Sequence, residues 1–357
     1  MTVRALVVDD SALMRQTLTR ILDAAADVEV IATASNGLDA LSKIEALRPD
    51  VVTMDVQMPR LDGLAALDLL MQRFPVPVVM LSSLTDAGTE AAVRALALGA
   101  VDYVAKPSPK TGLGISSIAE ELIEKVKRAA RAQVRKRPSI ARPAVARDGP
   151  PPRTERAGLQ DLLVIGASTG GPRALAEVLG GLPADLPCAV VVVQHLPAGF
   201  TRSLANRLNE TCPLSVAEAE GGQRVTPGQV LVAPGDFHLT LRGDRVALDQ
   251  GARRHGVRPS IDTTLESVAR AFGRNALAII LTGMGEDGAM GACALKAAGG
   301  AVWAEAESTC VVFGMPRAVI EADGADRVLP LDQMAPEIVK HLARAGAARE
   351  RRLSLAR

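Results

Sequence analysis

Aromatic residues are scarce: the 357-residue chain has one Trp, one Tyr and five Phe. Any core must therefore be built from Ala, Val, Leu and Ile, and a composition that is 48% hydrophobic and 23% charged can supply one to each of two domains. Cysteine and histidine number four each, scattered, without a C-x-x-C pair or metal-ligand spacing. Cys188, Cys212, Cys293 and Cys310 thus read as small buried hydrophobes. Net charge is also missing: a balance of +1 gives no general attraction to nucleic acid or membrane. No apolar run is long enough to span a bilayer, and no secretory h-region opens the chain. A cytoplasmic protein without membrane insertion or a nucleic-acid partner is expected.

What the first half does contain is a repeated pattern. Apolar runs at 5–8, 51–54, 76–81 and 101–105 end in Asp9-Asp10, Asp55, Ser82-Ser83 and Lys106-Pro107. Helical periodicity follows Ser11 as far as Leu22 and recurs near 36–47, 62–73 and 87–98. This βαβα alternation predicts a parallel sheet with helices on both faces, whose strand ends share one edge. Clustered carboxylates repel unless a cation holds them, and oxygen ligands suit Mg²⁺, while a nearby lysine suits phosphate. The chemistry that fits is phosphoryl transfer to a carboxylate, centred on Asp55; the competing reading is that the acids are helix N-caps.

The stretches Val7-Val8-Asp9-Asp10-Ser11, Met54-Asp55-Val56-Gln57-Met58-Pro59-Arg60-Leu61-Asp62-Gly63, Leu81-Ser82-Ser83 and Tyr103-Val104-Ala105-Lys106-Pro107 resemble the four signatures of a response-regulator receiver. That resemblance implies a flavodoxin-like fold with a five-stranded parallel sheet. It implies that Asp55 is the phosphoacceptor, that Asp10, Asp55 and the Gln57 carbonyl bind Mg²⁺, and that Asp9 supports the metal site. By the same likeness Ser82 and Lys106 contact the phosphoryl group, Tyr103 is the aromatic switch, and Lys106-Pro107 is a cis bond. Gln57 stands where an acidic residue is common, which leaves a backbone ligand unaffected.

Between 131 and 159 periodicity gives way to Arg and Pro, a composition that cannot bury a core. The expected division is a receiver at 1–122, a linker at 123–158, a second domain at 159–346 and a frayed basic tail at 347–357. The second domain opens on Leu162-Leu163-Val164-Ile165-Gly166-Ala167-Ser168-Thr169-Gly170-Gly171-Pro172, a buried strand turning into a helix. Gly166-Ala-Ser168-Thr-Gly170 fits the G-x-S-x-G nucleophile pattern, although a Gly/Ser corner also suits an anion-binding loop. Further apolar runs lie at 189–195, 230–233 and 277–282, with a hairpin around Gly243-Asp244, predicting a doubly wound α/β fold with an inserted hairpin. Ser168, His195 and Asp287 each follow a strand and so share one edge. A serine nucleophile needs a base, and the base needs a carboxylate to hold its tautomer. Asp262 competes for that last role, but its position suggests a helix first turn, where it serves the dipole. The Met284 N–H is a candidate oxyanion donor.

The motifs Gly166-Ala-Ser168-Thr-Gly-Gly171, Gln194-His195-Leu-Pro197, Arg258-Pro-Ser-Ile-Asp262 and Leu281-Thr-Gly-Met284-Gly-Glu-Asp287-Gly closely resemble chemotaxis protein-glutamate methylesterases of the CheB type. The resemblance implies a Ser168, His195, Asp287 triad with Thr169 near the oxyanion site, and no cofactor for ester hydrolysis. It implies methyl-accepting chemoreceptors as substrate, glutamine deamidation by the same chemistry, and a chemotaxis histidine kinase as phosphodonor. It further implies that the unphosphorylated receiver covers the active site. Glu286 stands where Asn is frequent, adding a charge beside the triad acid. The rival readings are a response regulator with a binding output, to DNA or protein, and a nucleotide-binding module on the Gly166–Gly171 loop.

Overall fold

Runs of buried β-branched and aliphatic residues form two parallel sheets, one in each of two units, residues 1–142 and 143–357. The computed structural model describes residues 2–82, 85–106, 115–134 and 161–355. The first unit runs β1 (Val3–Val8), α1 (Ala12–Asp23), β2 (Val28–Ala34), α2 (Gly37–Leu47), β3 (Val51–Asp55), α3 (Gly63–Arg73), β4 (Val78–Ser82), α4 (Asp86–Leu98), β5 (Asp102–Ala105) and α5 (Ile115–Ala129). Its strands are all parallel in the order β2-β1-β3-β4-β5, the flavodoxin-like arrangement expected. Strands β3 and β4 are buried at every position because helices cover both faces.

The caps of this unit answer the competing reading of its acids. Ser11 accepts from Met14 N–H at the start of α1, Asn36 from Asp39 N–H at α2, Asp62 from Ala65 N–H at α3 and Thr85 from Gly88 N–H at α4. Asp9, Asp10 and Asp55 are therefore not needed as caps. Helix α5 keeps Ile118, Leu122, Val126 and Ala129 buried along one face, so a division at 122/123 would cut through it. The remainder of the Arg/Pro-rich linker, residues 135–158, lies outside the described residues.

The second unit runs β6 (Leu162–Ala167), α6 (Gly171–Gly180), β7 (Ala189–Gln194), α7 (Phe200–Thr211), β8 (Ser215–Glu218), β9 (Gln229–Val232), the antiparallel hairpin β10 (His238–Arg242) and β11 (Arg245–Asp249), α8 (Ile261–Ala271), β12 (Ala276–Ile280), α9 (Ala289–Ala297), β13 (Ala301–Glu305), α10 (Met315–Glu321), β14 (Arg327–Leu329) and α11 (Leu331–Leu355). Seven parallel strands lie in the order β14-β13-β12-β6-β7-β9-β8. The chain first extends the sheet from β6 through β7 and then returns to the other side of β6 with β12, so strand order reverses between β6 and β12. Helix α11 continues past Gly346 to Leu355, where a frayed tail was expected. Among the described residues no helix is long and apolar enough to cross a membrane.

Candidate functional site

Each sheet carries polar side chains at its carboxyl edge, beside the point where strand order reverses, which is where open α/β sheets bind ligands. In the first unit Asp9 follows β1 and Asp55 ends β3; with Asp10 they bring carboxylate oxygens within 4.8 Å of one another. Lys106 follows β5 and reaches Asp9 Oδ2 at 2.8 Å and Asp55 Oδ2 at 2.7 Å. Asp9 and Asp55 are buried, whereas Asp10 and Gln57 are exposed. Burial raises the Asp55 carboxyl above its ordinary value, helped by the Asp9 charge and opposed by Lys106 and the Gln57 N–H. For Lys106 burial alone would lower the ammonium, but the two carboxylates outweigh it. The Ser82 hydroxyl, buried, donates to Gly88 O at 2.7 Å. Tyr103 is buried, with Lys125 Nζ 4.8 Å from its ring centroid. The expected cis bond involves Pro107, outside the described residues.

In the second unit Ser168, His195 and Asp287 follow β6, β7 and the β12 loop. Gly170, at φ +80, lets the chain turn sharply from Ser168 into α6. The Ser168 backbone is held on both sides: its N–H donates to Thr282 O at 3.0 Å, and its carbonyl accepts from Gly171 N–H at 2.8 Å and Gln194 Nε2 at 2.9 Å. His195 Nε2 lies 2.8 Å from Asp287 Oδ2. Neither its Nδ1 nor the Ser168 hydroxyl makes a hydrogen bond among the described residues, so both stay open for chemistry.

Asp287 is buried at the N-terminus of α8, where it accepts from Ser260 Oγ at 2.8 Å, Ile261 N–H at 2.7 Å and Asp262 N–H at 3.0 Å. Burial alone would raise its carboxyl; His195 and these N–H groups outweigh that and hold it below the ordinary value. Asp262 is in the first turn of α8 as expected, but it serves a different helix: Oδ1 accepts from Gly288 N–H at 3.0 Å and Gly291 N–H at 2.6 Å at the start of α9. The two helices exchange carboxylates at their N-termini. His255 Nε2 lies 2.9 Å from Asp262 Oδ2, and its Nδ1 lies 3.4 Å from the exposed Glu286. Thr169 and Met284 have backbone N–H groups with no acceptor among the described residues, and Met284 is 43% exposed.

Three residues of this neighbourhood escaped the sequence reading as participants. Ser260 sits inside a quoted motif, but its bond to Asp287 spans two elements. His255 follows two arginines in a polar stretch that shows no periodicity. Glu305 ends β13, fully buried, with Oε2 accepting from Thr282 N–H at 2.8 Å. Burial pushes its carboxyl up to about 7, against the pull of Thr282 N–H, from an ordinary 4.5. The folded state therefore holds the proton over a window where the unfolded chain has lost it. The associated stability is fully present below pH 4.5 and lost as pH rises to about 7, a change of roughly 3 kcal/mol. The thermal midpoint is expected to fall between pH 5 and 8 more steeply in the wild type than in Glu305→Gln; equal slopes would contradict this.

A family model described as CheB methylesterase matches residues 163–338, and one described as response regulator receiver domain matches residues 5–114. A protein-glutamate methylesterase/protein-glutamine glutaminase of Symbiobacterium thermophilum is 49% identical over 353 residues, covering 95% of this chain and 96% of that protein. Protein-glutamate methylesterase/protein-glutamine glutaminase 2 of Pseudomonas aeruginosa is 46% identical, covering 97% of this chain and 99% of its own. The crystal structure of the Thermotoga maritima CheB methylesterase catalytic domain is 48% identical, covers 51% of this chain and 98% of its own, and has a TM-score of 0.49. With two separate sheets, each bearing its polar cluster at the switch point, and relatives matching nearly end to end, the chain belongs to the CheB family of protein-glutamate methylesterases/protein-glutamine glutaminases.

Proposed function

We propose that this chain is a phosphorylation-activated serine hydrolase that demethylates glutamate γ-methyl esters on chemoreceptors and deamidates selected receptor glutamines in the cytoplasm. The observation that carries the reading is the pair of partly buried His195 and buried Asp287, 2.8 Å apart, on the strand edge that also bears Ser168. Ser168 Oγ attacks the ester carbonyl while His195 Nδ1 takes its proton, and Asp287 stabilises the imidazolium. The N–H groups of Thr169 and Met284 receive the oxyanion. His195 returns the proton to the leaving methoxide, which departs as methanol. Water, deprotonated by His195, then splits the acyl-enzyme to glutamate and free Ser168. For glutamine the leaving group is ammonia.

Control lies in the first unit, where a chemotaxis histidine kinase supplies the phosphoryl group to Asp55. The oxygen-rich cluster of Asp9, Asp10 and Asp55 fits a hard divalent cation. Asp10, Asp55 and the Gln57 carbonyl would hold Mg²⁺, which neutralises phosphoryl charge. Asp9 orients Lys106, and Lys106 with Ser82 contacts the phosphoryl oxygens; Tyr103 responds as the switch. The receiver domain extends through α5, and the linker begins after it.

The test is methanol release from membranes carrying methylated receptors, with the full chain and Mg²⁺, with and without acetyl phosphate. Stimulation is expected in the wild type and absent in Asp55→Asn, which keeps the basal rate; Ser168→Ala abolishes both. Release that survives Ser168→Ala would overturn the reading.

A further inference from the structure

Strand β12 ends at Ile280, and beyond it Thr282 ties three segments together. Its carbonyl accepts from Ser168 N–H at 3.0 Å, and its Oγ1 donates to Thr169 O at 3.0 Å and accepts from Val312 N–H at 3.0 Å. The next residue, Gly283, donates to Val312 O at 3.1 Å and accepts from Gly314 and Met315 N–H. The proposed nucleophile and both proposed oxyanion donors, Thr169 and Met284, therefore take their backbone positions from one residue or its neighbours.

The Thr282 N–H itself has no strand partner. Its acceptor is the carboxyl of Glu305, at 0% exposure, whose other oxygen, Oε1, has no hydrogen bond among the described residues. An amide or hydroxyl would accept this N–H without enclosing a carboxyl, so the choice of Glu is costly for packing alone. We infer that Glu305 is a positioning residue for Ser168 and for the Thr169 and Met284 donors, acting through Thr282. The inference rests on the hydrolase reading above. The titratable groups around Glu305 are Glu177 on α6 and Glu307 and Cys310 in the turn after β13. As the carboxyl ionises near neutrality its bond to Thr282 N–H becomes charge-assisted, tightening the nucleophile loop on the alkaline side.

The experiment measures Ser168-dependent methanol release by the full chain between pH 6 and 9, scaled to the folded fraction. Glu305→Ala is expected to lower kcat by about 10- to 100-fold with KM nearly unchanged, the scale of a misplaced catalytic group. Glu305→Gln keeps an acceptor for Thr282 N–H; it should recover most of kcat and lose the ionisation near pH 7 from its profile. A folded Glu305→Ala with wild-type kcat would overturn the inference. Should that variant not fold, a Glu305→Gln profile identical to the wild type's would do so. Ser168→Ala run in parallel separates the two readings: persistent release there removes the hydrolase reading, whereas its loss with an unaffected Glu305→Ala removes only the role of Glu305.

Discussion

Asp287→Ala is expected to lower methanol release by about three to four orders of magnitude while the protein still binds its substrate. The carboxylate is the meeting point of His195 Nε2 at 2.8 Å, Ser260 Oγ at 2.8 Å, Ile261 N–H at 2.7 Å and Asp262 N–H at 3.0 Å. In the proposed mechanism the imidazole then loses the group that selects its tautomer and offsets the positive charge it gains. The α8 N-terminus also loses its buried acceptor, and stability should fall by about 3–5 kcal/mol, short of the sum of the separate bonds because they share one group. Asp287→Asn separates the two effects. The amide fits the space and keeps one oxygen for the helix, but its NH₂ must face either His195 or N–H donors. Its kcat should fall nearly as far as that of Asp287→Ala, with a smaller loss in denaturant midpoint. A folded Asp287→Asn with near wild-type kcat would mean that His195 is oriented by something else.

Much of this arrangement was legible because parallel sheets convert local sequence into shared position. An apolar run ending in Asp55 or Ser168 announces a strand end, and strand ends of one sheet meet at one edge whatever their separation in the chain. What escaped notice lies where the local signal is weak. Strand β2 is an edge strand whose central residues are only partly buried, and β8 and β14, also at edges, have four and three residues; none offers a clear apolar run. Strand β13 is buried but mixes two alanines with Trp303 and ends in a glutamate, a residue usually read as surface. Asp262 shows a different limit. Its place in a first turn was readable, but its bonds to Gly288 and Gly291 cross to α9, and nothing near it in sequence specifies that partner. The same holds for Glu305 and Thr282, joined across neighbouring strand ends.

Gly63→Ala is expected to abolish phosphodonor stimulation, a loss of more than about 10-fold in the stimulated increment, and to destabilise the receiver by about 2–4 kcal/mol while sparing basal ester hydrolysis. Gly63 opens α3, and its N–H donates to Val56 O at 2.9 Å, drawing the helix start onto the end of β3. A methyl group there would stand 2.0 Å from Asp55 O, 2.9 Å from Asp55 C and 3.1 Å from Val56 Cα. All three are backbone atoms, so no side-chain rotation relieves the clash; either α3 lifts away or the end of β3 moves. If β3 moves, the Asp55 carboxylate leaves its 2.7 Å contact with Lys106 and its place beside Asp9 and Asp10. If α3 lifts, buried Ala66, Leu67, Leu70 and Met71 lose contact with the core. Thermal unfolding combined with acetyl phosphate stimulation distinguishes these routes: reduced stability with intact stimulation means that α3 yields, and loss of both means that Asp55 has moved. Wild-type values of both would mean that the α3–β3 approach does not govern the proposed phosphoacceptor.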